Sequence, residues 1–126
     1  MDSNVLIGKV VHGKALGRTV GMPTANLCVE QGILPEVGVY ATRIRIGDEW
    51  FASVTNIGKR PTVDQEDEIT VEAFILDFDA DIYGETVTLE VLEFLRPIQK
   101  FASLQEVQEQ VKKDAKKAKK CLTLKN

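Results

Sequence analysis

Alternating apolar and polar residues recur in five segments of this chain, and no helical pattern lies between them. The segments are residues 5–12, 39–46, 50–57, 69–76 and 86–94, and each contains β-branched side chains. A period of two residues places alternate side chains on opposite faces of a strand. Parallel strands need long crossover connections, usually helical. The pattern therefore predicts a closed or sandwiched antiparallel β architecture with at least five strands.

Short polar junctions predict where some of these strands connect. Residues 46–49 (IGDE) are short enough for a hairpin, so the second and third segments are expected to pair antiparallel. Residues 83–85 (YGE) are interpreted as a similar turn before the last strand. Residues 56–62 (NIGKRPT) are interpreted as a turn that leaves the third strand, because Gly58 and Pro61 interrupt it. Residues 64–68 (DQEDE) are expected to form an exposed acidic loop.

One helix is predicted at the C-terminus, over about residues 103–121. Ser103 and Glu106 have the spacing of a capping box, in which each side chain accepts a hydrogen bond from a backbone N–H group at the helix start. One apolar stripe follows and is expected to pack on the strands. Its members are Leu104, Val107, Val111, Ala115, Ala118 and Leu122.

Length and composition predict one domain over residues 1–126, with the barrel at about 5–96. The chain has 126 residues, of which 44% are hydrophobic, enough for a single core. There is no apolar run long enough to span a membrane, and the first residues lack a signal-peptide pattern. We therefore expect a cytoplasmic protein without a membrane partner. Cys28 and Cys121 lack metal-type spacing and are expected to be reduced thiols.

Charge is unevenly distributed along the chain. The net charge is −3, yet residues 112–126 contain seven Lys and one Asp. Such a basic tail can bind RNA or another anionic surface, but more often it is the solvated face of a terminal helix. We favour the solvated face and predict no nucleic-acid partner, because no aromatic residue follows Phe101.

The segment from residue 8 to residue 26 has the composition of a phosphate-binding loop. It reads GKVVHGKALGRTVGMPTAN and contains four glycines and Arg18. Glycines let backbone N–H groups approach an anion closely, and the arginine adds a fixed positive charge. Thr24 and Asn26 supply neutral oxygens that suit a hard divalent cation. Glycine spacing alone favours an ordinary surface loop, whereas the Pro-Thr-Ala-Asn run favours the phosphate site.

Glu72 is the charged residue in the middle of an otherwise apolar predicted strand. Burying an unpaired carboxylate is costly. The side chain therefore either points to solvent or serves a function, and its spacing alone leaves both alternatives open.

Several motifs together resemble the riboflavin kinase family. They are the segment 8–26 quoted above, NIGKRPT at 56–62, VEAFILDF at 71–78 and DIYG at 81–84. The residues LRP at 95–97, KF at 100–101 and the helix containing Asp114 extend the resemblance from residue 8 to residue 121. Each motif alone is a weak signal, whereas several in the same order are specific.

The resemblance implies both a fold and an activity. The fold is a six-stranded antiparallel Greek-key closed barrel with a C-terminal helix packed on it. The activity is transfer of the γ-phosphate of ATP to the ribityl 5′-hydroxyl of riboflavin, which gives FMN. A FAD synthetase (adenylyltransferase) domain is often fused to bacterial members. We do not expect FMN-to-FAD conversion in this chain, because its one histidine cannot supply that domain's His-x-Gly-His signature.

The resemblance also assigns roles to particular residues. Glu72 would be the general base; an unperturbed glutamate, with a pKa of about 4.3, is ionised at neutral pH. Thr24 and Asn26 would bind Mg²⁺ or Zn²⁺ together with nucleotide phosphates. The remaining ATP contacts would be Gly13 and Arg18 of a flap, with Ile75, Asp77 and Tyr83 bordering the nucleotide. The flavin contacts would be Arg96, Phe101 and Asp114.

Two other functions stay open at this point. A barrel of this kind could bind a flavin or a nucleotide without catalysis, although a pure binder needs neither a metal site nor a base. It could also bind RNA through the basic tail. The resemblance favours a kinase with riboflavin, FMN, ATP and ADP as ligands, and with a FAD synthetase domain as a fused or separate partner. We also expect a monomer.

Overall fold

Six strands and one helix are formed by the residues that the computed structural model describes, which are 4–11, 24–61, 67–78 and 80–125. In chain order the elements are β1 (Val5–Val11), β2 (Thr24–Gln31), β3 (Gly38–Ile46), β4 (Glu49–Pro61), β5 (Asp67–Ile75), β6 (Thr86–Arg96) and α1 (Leu104–Lys125). All strand pairs are antiparallel, and they close into a barrel in the order β1-β2-β5-β4-β3-β6. This confirms the six-stranded barrel with a C-terminal helix.

Two apolar clusters stabilise this arrangement, one on each face of the sheet. Inward-facing residues of all six strands fill the barrel, and Ile44, Ile57, Ala73 and Leu89 among them are fully buried. The second cluster lies on the outer face, where α1 covers part of β3 and β4. Its members are Val39, Ala41, Ala52, Val54, Leu76 and Ala118. The helix thus covers this side of the barrel, and Phe74 of β5 packs against the same cluster.

Strand β2 was not predicted from the sequence, and β4 extends beyond its predicted end. Strand β2 begins at Thr24, inside the segment interpreted as a phosphate-binding loop. Residues 56–61 continue β4, so their interpretation as a turn was wrong: Gly58 pairs with Thr70 and Pro61 is the last residue of the ladder. A proline is tolerated at such an end because its missing N–H removes no interior hydrogen bond. The same ladder begins β5 at Asp67, within the predicted acidic loop, whose residues 64–66 lie outside the described part.

The predicted hairpin is confirmed between β3 and β4, where Ile46 pairs with Glu49 and Gly47 has a φ of +62°. Residues 82–85 also form a turn, closed by a 3.0 Å hydrogen bond from Glu85 N–H to the Ile82 carbonyl. That turn is not a hairpin, because β6 pairs with β1 and β3 and not with β5.

Helix α1 begins one residue after its predicted cap. Ser103 Oγ accepts a hydrogen bond from Glu106 N–H at 3.2 Å, and Glu106 Oε1 accepts one from Ala102 N–H at 3.0 Å. The apolar stripe packs on the barrel through Ala115, Ala118 and Leu122, whereas Leu104 stays half exposed. In the described part of the chain, α1 is too polar to cross a membrane.

Gly32, which follows β2, is expected to tolerate no side chain. Its φ is +108°, and an added Cβ would collide with the carbonyl oxygen of Val5 and lie 2.9 Å from Leu6 Cδ2. Gly47 also has a positive φ, but nothing lies within 4 Å of an added Cβ. We predict that Gly32→Ala lowers the free energy of unfolding by at least about 2–3 kcal/mol, and Gly47→Ala by about 1 kcal/mol. Urea unfolding of both variants measures the difference, and equal losses would contradict the collision.

Candidate active site

Polar side chains form a row across the outer face of β2, β5 and β4. In the strand ladders Glu72 of β5 pairs with Asn26 of β2 on one side and with Asn56 of β4 on the other. Directly opposed residues have Cβ atoms about 4.5–5.5 Å apart. The three side chains point away from the barrel interior, because the residues that alternate with them along each strand are buried inside it. The row therefore places one carboxylate between two carboxamides.

Burial differs along this row. Glu72 and Asn26 are partly buried, and Asn56 is exposed. The structure thus directs Glu72 outward, which avoids burying its charge in the core. It also places a carboxamide beside Glu72 on each neighbouring strand, so the carboxylate belongs to a polar row and is not an isolated surface charge.

Thr24 lies beside this row and faces the same way as Asn26. It is the first residue of β2 and pairs with Phe74, two positions from the Asn26–Glu72 pair. The hydroxyl of Thr24 and the carbonyl oxygen of Asn26 are hard, neutral ligands, which suit Mg²⁺ when phosphates supply further oxygens. Within the described residues, no cluster of three or more His, Cys, Asp or Glu side chains could hold a metal. A cation at this position would be held by these two side-chain oxygens together with its phosphate ligands.

Arg96, Phe101 and Asp114 are brought together at the end of β6. Arg96 Nη2 lies 2.9 Å from Asp114 Oδ2, and its Nε lies 3.2 Å from the same oxygen. Gln110 Nε2 donates a further hydrogen bond to Asp114 Oδ1 at 3.1 Å. The Arg96 guanidinium carbon lies 5.6 Å from the centre of the Phe101 ring, within the range of a cation–π contact.

This cluster orients the Arg96 guanidinium, which is largely removed from water. Asp114 is 1% exposed, because it lies on the helix face that packs against the barrel. The side chain of Arg96 keeps 17% of its surface exposed. Two hydrogen bonds to one carboxylate fix the plane of the guanidinium. The cluster can therefore present a fixed positive charge and an aromatic surface to a planar ligand.

The residues expected to border the nucleotide lie at the opposite end of β5 from Asp67. Asp77 has a φ of +55° and forms an ion pair with Lys119 of α1, with 3.1 Å between Oδ2 and Nζ. Tyr83 is exposed, and its N–H donates a 3.0 Å hydrogen bond to Asp81 Oδ1. Ile75 is buried among the residues that fill the barrel, so its side chain does not share a face with Glu72.

Gly13 and Arg18, the predicted phosphate-binding residues of the flap, lie outside the described residues. Asn56 begins the motif at residues 56–62, but no function was predicted for it from the sequence. Its placement beside Glu72 follows from the pairing of β4 with β5, a register that no local pattern encodes.

Both cysteines are free thiols. Burial raises the pKa of the Cys121 thiol above its ordinary value, and its hydrogen bond to Glu93 Oε1 raises it further. A thiol held in its neutral form is a poor nucleophile. Neither thiol belongs to the row on β2, β5 and β4.

Comparisons with known proteins give one family. The family model described as Flavokinase: Riboflavin kinase matches residues 3–122. A relative from Haemophilus influenzae, named bifunctional riboflavin kinase/FMN adenylyltransferase, is 39% identical over 115 residues, which are 90% of this chain and 37% of the relative. The chain thus spans little more than a third of that relative's length.

Two solved structures share the fold. The crystal structure of riboflavin kinase from Trypanosoma brucei has a TM-score of 0.63 and 27% identity, and the match covers 94% of this chain and 79% of that one. A crystal structure named as a macrolide-efflux protein from Streptococcus pneumoniae has a TM-score of 0.84 and 38% identity, and covers 91% of this chain. The shared region is 38% of that second chain, so its name describes a much larger molecule.

Proposed function

Because the chain belongs to the riboflavin kinase family, we propose that it transfers the γ-phosphate of ATP to the ribityl 5′-hydroxyl of riboflavin. The observation that supports this most directly is the position of Glu72. It is a partly buried carboxylate on the outer face of the barrel and pairs with Asn26. Thr24 lies two residues before Asn26 on the same strand. A base next to a site for a phosphate-bound cation is the arrangement that phosphoryl transfer to an alcohol needs.

Glu72 acts on the acceptor alcohol in this proposal. Its carboxylate accepts the proton of the ribityl 5′-hydroxyl as that oxygen forms a bond to the γ-phosphorus. The bond from the γ-phosphorus to the bridging oxygen breaks, and ADP leaves with the electron pair. Most of the rate enhancement in such reactions comes from alignment and from electrostatic stabilisation.

Thr24 and Asn26 would hold the divalent cation, Mg²⁺ or Zn²⁺, through their side-chain oxygens. When bound, the cation neutralises charge on the nucleotide phosphates. Asn26 is paired with β1 and β5 and Thr24 is paired with β5, so the spacing of the two residues is fixed before the nucleotide arrives. Gly13 and Arg18 would contact the phosphates from the flap, and Ile75, Asp77 and Tyr83 would border the nucleotide.

Arg96 and Phe101 would contact the flavin. The paired guanidinium offers hydrogen-bond donors to the carbonyl oxygens of the isoalloxazine, and the ring of Phe101 offers an apolar surface. Asp114 would orient Arg96 and not touch the flavin itself, because it is 1% exposed. This assigns Asp114 a positioning role beside the two contact residues.

The product FMN is the substrate of an adenylyltransferase. We therefore propose a FAD synthetase domain, either joined to this domain in a longer protein or separate, as the partner that consumes it. The absence of nucleic-acid binding, the monomeric state and the cytoplasmic location stay predictions.

Replacing Thr24 is expected to weaken the cation site. We predict that Thr24→Ala raises the Mg²⁺ concentration needed for half-maximal FMN formation by about tenfold or more, because one of two protein ligands is lost. The measurement is the rate as a function of Mg²⁺ at fixed ATP. Thr88→Ala on β6 is the matched control, since Thr88 is also partly buried but pairs with Ile7 and Arg45. Equal Mg²⁺ dependence in both variants would contradict the assignment.

A further inference from the structure

We infer that Asn56 forms the subsite for the ribityl chain, with its carboxamide binding the hydroxyl groups of that chain. This inference rests on the proposed function, since it takes Glu72 as the group that meets the 5′-hydroxyl. It starts from a row of paired residues across the outer face, which runs from Glu72 through Asn56 and Val39 to Arg96. Three strand spacings separate the two ends of this row, which is about 14 Å.

Asn56 occupies the accessible part of the path between the flavin contacts and the base. Val39 is 1% exposed because α1 covers it, so no ligand can lie over that position. Asn56 is exposed and lies directly beside Glu72. A substrate whose ring contacts Arg96 and whose terminal hydroxyl reaches Glu72 must therefore pass over β4 at or beside Asn56.

Gly58 lies on the same face of β4 as Asn56, and side chains of two neighbouring segments approach it closely. A Cβ at Gly58 would lie 3.0 Å from Thr70 Oγ1 and 3.7 Å from Ile98 Cδ1. Ile98 belongs to the segment that connects Arg96 with Phe101, so this segment reaches across to β4. The segment that follows Arg96 therefore lies beside the part of β4 that contains Asn56.

The chemistry of this surface matches a chain of hydroxyl groups. A carboxamide both donates and accepts hydrogen bonds, as each hydroxyl of a polyol does. It also carries no charge, so it leaves Glu72 as the one carboxylate among the three paired residues of the row. A charged residue at position 56 would alter the basicity of that carboxylate, whereas asparagine contributes binding alone.

The test compares two flavins that differ in the side chain at N10. Riboflavin carries the ribityl chain, and lumiflavin carries a methyl group in its place. Binding of each to the full chain with Mg·ADP is measured by quenching of flavin fluorescence. We expect Asn56→Ala to raise the Kd of riboflavin by about three- to tenfold, the loss of one or two neutral hydrogen bonds. The Kd of lumiflavin should not change.

Two further variants define the result. Asn56→Ser keeps a hydrogen-bonding group and should lose less riboflavin affinity than Asn56→Ala. Asn4→Ala removes another exposed carboxamide, remote from this face, and should change neither Kd. Equal changes for riboflavin and lumiflavin, or no change for either, would overturn the subsite.

This outcome is separable from failure of the proposed function. If the wild type forms no FMN but its riboflavin affinity depends on Asn56 and its lumiflavin affinity does not, the subsite stands and the kinase activity fails. If the wild type forms FMN and the Asn56 substitutions change the Kd of riboflavin no more than that of lumiflavin, the kinase activity stands and the subsite is wrong.

Discussion

Glu72→Gln is expected to lower kcat for FMN formation by about 10²–10⁴-fold, the usual contribution of a general base. Glutamine preserves the size of the side chain and its place between Asn26 and Asn56, but it cannot accept the proton of the 5′-hydroxyl. Because the interaction is lost mainly in the transition state, kcat should fall far more than flavin or nucleotide affinity. Single-turnover rates and flavin titrations measure the two effects separately.

Glu49→Gln is the matched control for this experiment. It makes the same change of charge on the exposed hairpin residue that begins β4, seven residues from the partner of Glu72. Its kcat should stay within about twofold of the wild type, as expected for a surface substitution away from the site. Near-native turnover in Glu72→Gln would remove Glu72 from the mechanism and would favour a solvent-facing carboxylate without a catalytic role.

Asp114→Ala is expected to lower the free energy of unfolding by about 3 kcal/mol. Loss of one partner of a buried ion pair leaves the other charge uncompensated, at a cost of about 3–5 kcal/mol. The lower end applies here because Arg96 keeps 17% of its side chain exposed. Loss of the hydrogen bond from Gln110 adds to the effect. Thermal unfolding should show a Tm about 10 °C lower than the wild type.

Two variants separate the stability of this pair from its function. Arg96→Met combined with Asp114→Leu replaces the pair by apolar groups and should recover most of the lost stability. Flavin affinity should be lower in this double variant than in the wild type, because the Arg96 guanidinium is absent. Asp48→Ala removes the fully exposed partner of Arg45 and should leave the unfolding transition unchanged within the error of the measurement. Wild-type flavin affinity in the double variant would show that Arg96 acts on stability alone.

Periodicity and turn chemistry predicted most of the barrel. The hairpin at Gly47 and the capping box at Ser103 are local signals, and the structure confirms both. Strand β2 was missed because its outward positions carry Thr24, Asn26 and Cys28, and because the preceding glycines indicated a loop. The end of β4 was misjudged because Gly58 and Pro61 usually end strands, whereas here the ladder with β5 continues past Gly58 to Pro61.

The candidate site was predictable as a set of residues but not as a geometry. The resemblance named Glu72 and Asn26, yet their pairing requires β2 to lie beside β5, which chain order does not predict. The same holds for Asn56, which received no role. Asp114 occupies the apolar stripe of α1, where periodicity alone gives no reason for an acid. The acid at this position is explained by its ion pair with Arg96, which lies eighteen residues earlier in the chain.

The most direct test of this account is the reaction itself. Wild-type protein is mixed with Mg·ATP and riboflavin, and FMN and ADP are quantified by chromatography. The account predicts FMN and ADP in equal amounts, with no FMN when ATP or Mg²⁺ is omitted. Tight riboflavin binding without FMN under the same conditions would contradict it and would identify the barrel as a flavin-binding module without catalysis.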